Sequence, residues 1–427
     1  MTDDYTLTEL GSGIRVVTEH VPSVRSIALG LWVRVGSRDE DVSEAGISHF
    51  LEHLLFKGTP SLTAEQIAQV FDSFGADINA ATSKETTVLY AHFLDEHLEE
   101  AFGVMADMLL RSTYADIDSE REVVLEEIAM YEDEPQDKVH DVLSRAIFGD
   151  HPLGRPVIGR GEVISSVTVD EIRDYHDSRY APASIVLAAA GNLEHDVIAQ
   201  LSEARLQPPS DREPISPNGR TPTINEGSMA FHAKETEQYH ICLGGSGIQR
   251  DDERRFALSV LDAVLGGSTS SRLFQEVREK RGLAYAIYSW ASHYRDTGQV
   301  GIYVGTRQDN VGEAMSVIGA ELDRLQTEAV TEEELTRARE HVKGRVVLSM
   351  ESTSNRMHRL GRSVLTNMPL LTPDEMIAKL DEVDRDQIQA LAREFYPSSS
   401  LSAAAIGKDE AVFRSALAAV NSRLAAA

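Results

Sequence analysis

The segment SVTVDEIRDYHDSRYAPASIVLAAAGN, Ser166 to Asn192, returns in altered form as EVDRDQIQALAREFYPSSSLSAAAIGK, Glu382 to Lys408. Each copy has the pattern of a helix, a turn with Tyr and Pro, and an apolar strand that ends in Gly. Matching residues share one offset of 216 positions: Val167 with Val383, Ile172 with Ile388, Tyr180 with Tyr396, and Gly191 with Gly407. Four matches at one offset indicate a duplicated chain.

The duplication divides the chain into two halves. At 427 residues the chain is too long for one ordinary domain. The segment RLQPPSDREPISPNGRTPT, Arg205 to Thr223, is rich in Pro, Ser and Asn and is typical of an exposed linker. We therefore predict domains at residues 1–205 and 224–427, joined by a linker at 206–223.

Strand and helix patterns alternate irregularly within the first half. Three segments alternate like strands: GIRVVTEH, SIALGLWVRVG and ETTVLYAHFL. Three others have helical spacing: TAEQIAQVFDSFG, LDEHLEEAFGVMADMLLRS and DSEREVVLEEIAMY. Strand pairs mixed with helix pairs predict an α+β fold rather than a regular doubly wound sheet.

The segment HFLEHLLFKG, His49 to Gly58, places three titratable groups in an otherwise apolar run. Ser43 or Asp41 could cap a helix that runs through Phe56. On a helix, His49 and His53 project from one face, a spacing that suits two nitrogens on one metal ion. Glu52 lies beside them, where it could take a proton from a water molecule. A metal would offset the cost of burying these groups. The alternative is a pair of hydrogen-bonded core histidines near an unrelated glutamate.

A third metal ligand is expected on another helix, and the acidic segment Asp118–Tyr131 offers several candidates. Glu120, Val124 and Glu127 fall on one helical face. Glu126 falls on another face that is mostly polar. Because a ligand must point inward with the apolar residues, the pattern favours Glu127 over Glu126, and Glu120 could support the site by a contact to a ligand. Two histidines and one carboxylate leave a fourth position open, as in catalytic rather than structural zinc sites.

The composition limits the partners. With 41 basic and 69 acidic residues the net charge is −28, which disfavours nucleic acid and anionic membranes. The acidity serves either solubility alone or the attraction of basic substrates. The first residues, MTDDYTLTELGSG, lack the pattern of a signal peptide, and no run of apolar residues predicts a transmembrane helix. The single Cys242 cannot form an internal disulfide, so we expect a reducing compartment, most simply the cytoplasm.

The motif HFLEH, followed 74 positions after His53 by Glu127 in EREVVLEEI, resembles the pitrilysin family of zinc peptidases, the inverzincins. The resemblance runs through nearly the whole chain. It includes FGADINAATSKETT (Phe74–Thr87), DHPLGRPVIG (Asp150–Gly159) and SSRLFQEVREKRGLAYAIYS (Ser270–Ser289). The length and the pair of halves look like the bacterial relatives of the mitochondrial processing peptidase β-subunit.

The resemblance implies a role for each candidate in the first half. It makes His49, His53 and Glu127 the ligands of one zinc ion per chain. It makes Glu52 the general base, and it puts the family's auxiliary acidic position on Glu120.

The resemblance also implies how the halves bind substrate. An offset of 216 from His49 falls in LGGST, residues 265–269, so the second half carries no zinc motif. Family members close their two pitrilysin-like domains like a clam shell around an enclosed chamber. In them the half without metal supplies an Arg and a Tyr that hold the substrate backbone, and these match Arg278 and Tyr285.

A strand of the first half is implied in substrate binding as well. In the family, the segment that matches NAATS, residues 79–83, is an edge strand that accepts an extended peptide by β-addition. Asn79 and Ala80 would lie at that contact.

The sequence therefore predicts a zinc-dependent endopeptidase that acts on extended or unfolded peptides, basic ones if the acidity attracts them. Related chains work as homodimers or with a homologous partner subunit, and both remain open. A second hypothesis is a non-catalytic pitrilysin-like subunit for assembly or peptide binding, although such relatives generally lack part of the zinc motif. A third, a structural zinc site, fits poorly with an open fourth position.

Overall fold

The computed structural model describes residues 5–207 and 219–426, so most of the predicted linker at 206–223 lies outside the described residues. The strands are β1 (Tyr5–Glu9), β2 (Arg15–His20), β3 (Ser26–Val33), β4 (Asp77–Thr82), β5 (Thr87–Leu94), β6 (Ile185–Gly191), β7 (Met229–Ala233), β8 (Tyr239–Gly247), β9 (Ala284–His293), β10 (Gly298–Thr306) and β11 (Ser402–Gly407). The helices are α1 (Ile47–Leu54), α2 (Ala64–Ser73), α3 (Leu98–Arg111), α4 (Ile117–Asp133), α5 (Pro135–Phe148), α6 (Gly161–Ser166), α7 (Val169–Arg179), α8 (His195–Arg205), α9 (Arg255–Leu265), α10 (Val311–Thr327), α11 (Glu332–Ser349), α12 (Thr353–Leu365), α13 (Pro373–Asp381), α14 (Arg385–Phe395), α15 (Glu410–Leu417) and α16 (Ser422–Ala426).

The strands form two sheets with matching topology. The described strands of the first sheet lie in the order β1-β2-β6-β3-β5-β4, and those of the second in the order β7-β11-β8-β10-β9. In each sheet the strand of the repeated segment, β6 or β11, pairs antiparallel with one neighbour and parallel with the other. The α+β class and the duplication predicted from the sequence are both confirmed.

The chain folds into two compact units that are not continuous in sequence. The first unit comprises Met1–Ala129, Pro156–Gly219 and Leu348–Thr372. The second comprises Met130–Arg155, Arg220–Val347 and Pro373–Ala427. Each unit therefore takes one segment from the half of the chain that holds the other sheet. The domain boundaries predicted from the sequence, at 205 and 224, did not indicate this exchange.

The exchanged segments each contain a helix that covers the outer face of a sheet. Helix α12 packs on β6, β3 and β2 in the first unit, and helix α5 packs on β11, β8 and β7 in the second. On α12 the apolar residues Met357, Leu360 and Val364 recur at helical spacing and are buried against the sheet. The opposite face of the first sheet forms the larger core with α1, α2 and α3.

Close packing of α12 depends on small residues. Gly30 of β3 lies under Met357, and Gly361 of α12 lies against the buried ring of Trp32. Charge adds to this packing, because the buried carboxylate of Glu19 pairs with both Arg356 and Arg359 of the same helix. Such a buried carboxylate would be costly without its cations.

Two glycines inside helices provide a matched test of this packing. A Cβ added at Gly361 would overlap the buried ring of Trp32, whereas a Cβ at Gly344 of α11 meets nothing within 4 Å. In a helix, alanine is more stable than glycine by about 0.5–1 kcal/mol, which applies at both positions. At Gly361, however, overpacking lowers the free energy of unfolding by about 1–3 kcal/mol. We expect Gly361→Ala to lower the midpoint of thermal unfolding and Gly344→Ala to raise it, measured by circular dichroism. Equal midpoints would contradict the close approach of α12.

Candidate metal centre

Helix α1 carries the two histidines and begins abruptly. The sequence suggests Ser43 or Asp41 as its cap, but Asp41 instead precedes a separate short 3-10 turn. The helix starts at Ile47, directly after Gly46, whose φ of 106° lies in the left-handed region. A residue with a side chain would be strained there, so the glycine permits the sharp entry into the helix.

The start of α1 is fixed by a buried carboxylate. Glu40 accepts hydrogen bonds from the backbone nitrogens of Gly46 at 2.9 Å and Ser48 at 2.8 Å. A negative charge at this end of a helix is favourable, because the free N–H groups there carry partial positive charge. The hydroxyl of Ser48 also hydrogen-bonds that of Tyr175 at 2.7 Å. These contacts hold the helix, and with it both histidine rings, in one orientation.

The Nε2 atoms of His49 and His53 converge with Oε2 of Glu127 from α4. Oε2 of Glu127 lies 3.7 Å from Nε2 of His49 and 3.4 Å from Nε2 of His53. Ligands held about 2.1 Å from a tetrahedral zinc ion lie about 3.4 Å from one another. Within the described residues, these three form the one group of His, Cys, Asp or Glu atoms close enough to hold a metal ion.

The helix face predicted for Glu127 is the one observed. Glu120 and Val124 of α4 are buried on the side that faces α1, whereas Glu126 is exposed. The Oε2 atom of Glu127 is itself buried and, among the described residues, has no hydrogen-bond partner. Such an atom is costly unless a cation binds it, so the donor set fits a divalent metal.

Glu120 fixes the orientation of His53. Its Oε1 atom accepts a hydrogen bond from Nδ1 of His53 at 2.8 Å, and its other oxygen pairs with the ammonium group of Lys57. A proton on Nδ1 leaves the lone pair of His53 on Nε2, which faces Glu127. The sequence did not single out Lys57, although its position one helical turn after His53 could have signalled the contact.

Burial sets the charge state of the other groups on α1. It lowers the pKa of His49 to about 4, with His53 as a smaller cause, so the ring is neutral at physiological pH and its lone pair is available. Burial also raises the pKa of Glu52, while hydrogen bonding to Thr82 of β4 lowers it. The Oε2 atom of Glu52 is buried without a hydrogen-bond partner in the described part of the chain. The sequence placed Thr82 in the segment NAATS but gave no sign of its contact with Glu52.

The predicted peptide contact lies on a strand next to α1. Strand β4 pairs with β5 and is at one edge of the described sheet. The hydroxyl of its Thr82 donates to the backbone carbonyl of Ser48 at 3.4 Å, which ties the strand to the helix. Asn79 is exposed, and Ala80 is buried against the core. The strand is therefore positioned beside the helix that carries the histidines.

Arg278 and Tyr285 lie in the second unit and contact each other. The guanidinium carbon of Arg278 is 4.7 Å from the centroid of the Tyr285 ring, and Tyr285 is 77% exposed. Arg278 belongs to a π-helical turn, Phe274–Glu279, that leads into β9. The structure thus brings His49, His53, Glu127, Glu120 and Glu52 together in the first unit, and Arg278 with Tyr285 in the second.

Two family models match successive parts of the chain. A family model described as "Insulinase (Peptidase family M16)" matches residues 15–161, and one described as "Peptidase M16 inactive domain" matches residues 166–342. An uncharacterized zinc protease of Streptomyces coelicolor is 43% identical over 396 residues, 91% of this chain and 86% of that one. Another, from Bacillus subtilis, is 41% identical over 393 residues, 90% of this chain and 94% of that one.

The chain belongs to the M16 family of peptidases. Solved structures share the fold of this M16 peptidase. A protease from Helicobacter pylori aligns over 95% of this chain and 99% of its own with a TM-score of 0.89 at 21% identity. A Pseudomonas fluorescens protein titled as a peptidase M16 inactive domain aligns over 95% and 98% with a TM-score of 0.88 at 22% identity. The family resemblance found on the HFLEH motif is confirmed.

Zinc is the metal of this M16 peptidase. Its relatives are named zinc proteases, and the His-His-Glu donor set is of the type that binds zinc. Among the residues that the structure describes, none of the helices is both long enough and apolar enough to cross a membrane.

The three ligands and a neighbouring glutamate give a direct test of the site. We expect His49→Ala, His53→Ala and Glu127→Ala each to lose zinc, because two remaining ligands make a poor site. Glu126→Ala is the matched control: it removes an adjacent but exposed carboxylate, so zinc should be retained. Metal content of the purified proteins measures both. Loss of zinc from Glu126→Ala together with its retention by Glu127→Ala would overturn the assignment.

Proposed function

We propose that this chain is a zinc-dependent endopeptidase that hydrolyses peptide bonds in extended or unfolded peptides. The observation that carries the proposal is the half-buried carboxylate of Glu52, which lies on the same helix as His49 and His53 and has one oxygen without a hydrogen-bond partner among the described residues. A structural metal site does not require such a group. A hydrolytic site requires a base at this position.

Each residue of the centre has a distinct task in this proposal. His49, His53 and Glu127 hold the zinc ion, which when bound polarises the scissile carbonyl and makes water a better nucleophile. Glu52 accepts a proton from the attacking water and delivers it to the leaving amine. The raised pKa of Glu52 suits the first step, because a carboxylate with a higher pKa is a stronger base toward the attacking water. Glu120 holds His53 in the required tautomer.

The substrate would bind as an extra strand along β4. The outer edge of this strand offers backbone groups to a peptide, and Asn79 and Ala80 lie near its middle. An extended peptide that pairs with β4 would pass beside α1, which supports a preference for unfolded chains. Most strands of a folded protein are already paired with their neighbours and could not add to β4 in this way.

We propose that Arg278 and Tyr285 hold the substrate backbone and stabilise the oxyanion. The support is the family resemblance, together with the mutual contact of the two side chains and the exposure of Tyr285. The two duplicated domains would be residues 1–205 and 224–427, as the sequence suggests, and Arg278 and Tyr285 belong to the second.

The alternative of a non-catalytic subunit has weaker support. The family model described as inactive matches residues 166–342, which is outside the segments that carry the zinc ligands and Glu52. In the first half the donor set is complete.

Replacing the proposed base separates metal binding from catalysis. Glu52→Gln keeps the side-chain shape but cannot accept a proton, so we expect normal zinc content and peptide binding with turnover lower by at least about 100-fold. Mass-spectrometric digestion assays with a peptide library, with and without a chelator, measure turnover. Near-normal hydrolysis by Glu52→Gln would refute the assigned role.

The proposed role of Tyr285 is tested by removing one oxygen. Because Tyr285 is 77% exposed, Tyr285→Phe should leave folding and zinc content unchanged. Loss of a hydrogen bond to the oxyanion should lower kcat by about 10- to 1000-fold. Unchanged kcat would show that the hydroxyl is not part of the reaction.

The acidity gives an independent prediction about substrates. If some of the net charge of −28 faces the bound peptide, basic peptides should have a higher kcat/KM than neutral peptides of equal length. The difference should shrink with salt, since the Debye length falls from about 10 Å at 0.1 M to about 3 Å at 1 M. Equal values at low salt would assign the acidity to solubility alone.

A further inference from the structure

A row of aromatic side chains crosses the edge of the second sheet. Tyr288 of β9 is the register partner of Tyr303 of β10, which is the partner of Cys242 of β8. The rings of Tyr288 and Tyr303 stack with centroids 4.9 Å apart, and the Tyr288 hydroxyl is hydrogen-bonded to Nε2 of His140 at 2.9 Å. Tyr303 is only 1% exposed. The edge residue Tyr288 therefore helps to cover Tyr303.

The first sheet contains the corresponding row. Ala188 of β6 and Ala404 of β11 are related by the repeat offset of 216, and their register partners are Gly30 and Cys242. Continuing from Gly30 across the first sheet, the partners are Tyr90 and then Asn79. The duplication therefore matches Tyr90 with Tyr303, and Asn79 with Tyr288.

The helix above each row also corresponds. The ring of His358 on α12 lies 5.1 Å from that of Tyr90, and the ring of His140 on α5 lies 5.7 Å from that of Tyr303. Both units thus have a histidine of the exchanged helix beside a tyrosine of the sheet. The two rows differ in the residue at the edge.

In the first sheet, the edge strand β4 has only small side chains on the face that helix α12 covers. Asn79 stands where the second half has Tyr288, and two residues further along Ala81 stands where it has Trp290. The side-chain oxygen of Asn79 accepts a hydrogen bond from the backbone nitrogen of Ala80 at 2.8 Å, so the side chain lies along its own strand. Tyr90 is accordingly only partly buried.

The same edge is the strand to which the proposed substrate adds. Side chains of a peptide paired with β4 alternate between the two faces, so every second one points to the face that carries Asn79 and Tyr90. An aromatic side chain is long enough to interact beyond its direct cross-strand neighbour. It can therefore extend over the short Asn79 toward Tyr90.

We infer that Tyr90, His358 and Asn79 form a subsite for an aromatic side chain of the substrate, which takes the place that Tyr288 occupies in the second half. This inference rests on the proposed function, because it places the peptide along β4. Stacking on Tyr90 would select Phe, Tyr and Trp over aliphatic residues. A hydrogen bond to His358, equivalent to that between Tyr288 and His140, would add a preference for Tyr over Phe.

The expected effect is moderate. An aromatic pair is typically worth enough for about a 2- to 10-fold preference. Digestion of a peptide library by the zinc-loaded full chain should therefore enrich aromatic residues by about this factor at one position relative to the cleaved bond. Asn79→Tyr fills the subsite from within and should abolish the enrichment at that position. Asn79→Ser leaves the space open and should retain it.

A second pair of variants covers the case in which Asn79→Tyr blocks cleavage altogether. Tyr90→Leu removes the stacking face and should abolish the enrichment, whereas Tyr90→Phe keeps the ring and should preserve it. His358→Leu should remove only the preference for Tyr over Phe. Aromatic enrichment that persists in Tyr90→Leu, or its absence from the unmodified protein, would overturn the subsite.

The subsite and the peptidase activity can fail separately. If the unmodified protein cleaves peptides without aromatic enrichment, the subsite is refuted and the activity stands. If it cleaves nothing, the proposed activity is refuted. In that case a binding experiment still tests the subsite. The affinity of the Glu52→Gln variant for matched peptides that carry Phe or Ala at each position is measured by fluorescence anisotropy. Equal affinities would refute the subsite.

Discussion

The cost of burying charge on helix α1 governs the structure around it. Glu40 satisfies the first backbone nitrogens of the helix, and Glu120 is satisfied by His53 and Lys57. What remains is a set of polar atoms on Glu52, Glu127 and His49 that have no hydrogen-bond partner among the described residues. Each such atom costs about 1–3 kcal/mol, and a divalent cation bound by Nε2 of both histidines would satisfy Oε2 of Glu127.

The parts of the site that could be predicted from the sequence depend on local geometry. The spacing of His49 and His53 predicts one shared helical face, and the apolar neighbours of Glu127 distinguish it from Glu126. These inferences need only the period of a helix. The start of α1 was predicted less well, because Gly46 in a left-handed conformation replaces the usual side-chain cap. The role of Thr82 could not be predicted, because it depends on how β4 packs against α1.

The repeat of helix, turn and strand predicted the duplicated fold correctly, yet it gave no sign of the exchange of α5 and α12. The apolar spacing of a helix shows that one face is buried but does not show which sheet it covers. The duplication also shows how two copies of one fold diverge. The same register row has a tyrosine at its edge in one sheet and an asparagine in the other. One copy fills its own edge, whereas the other leaves it open.

The exchange of α12 has a consequence for biosynthesis. The outer face of the first sheet is covered only when residues 348–372 are available, and these are translated long after the last strand of that sheet. At about 5–20 residues per second the delay is on the order of ten seconds. Until then buried residues such as Trp32 and Val186 face the cellular milieu. A ribosome that stalled in the second half would leave the first unit unfinished. Neither half of the chain therefore contains a complete folding unit, and each half made alone would leave one face of its sheet uncovered.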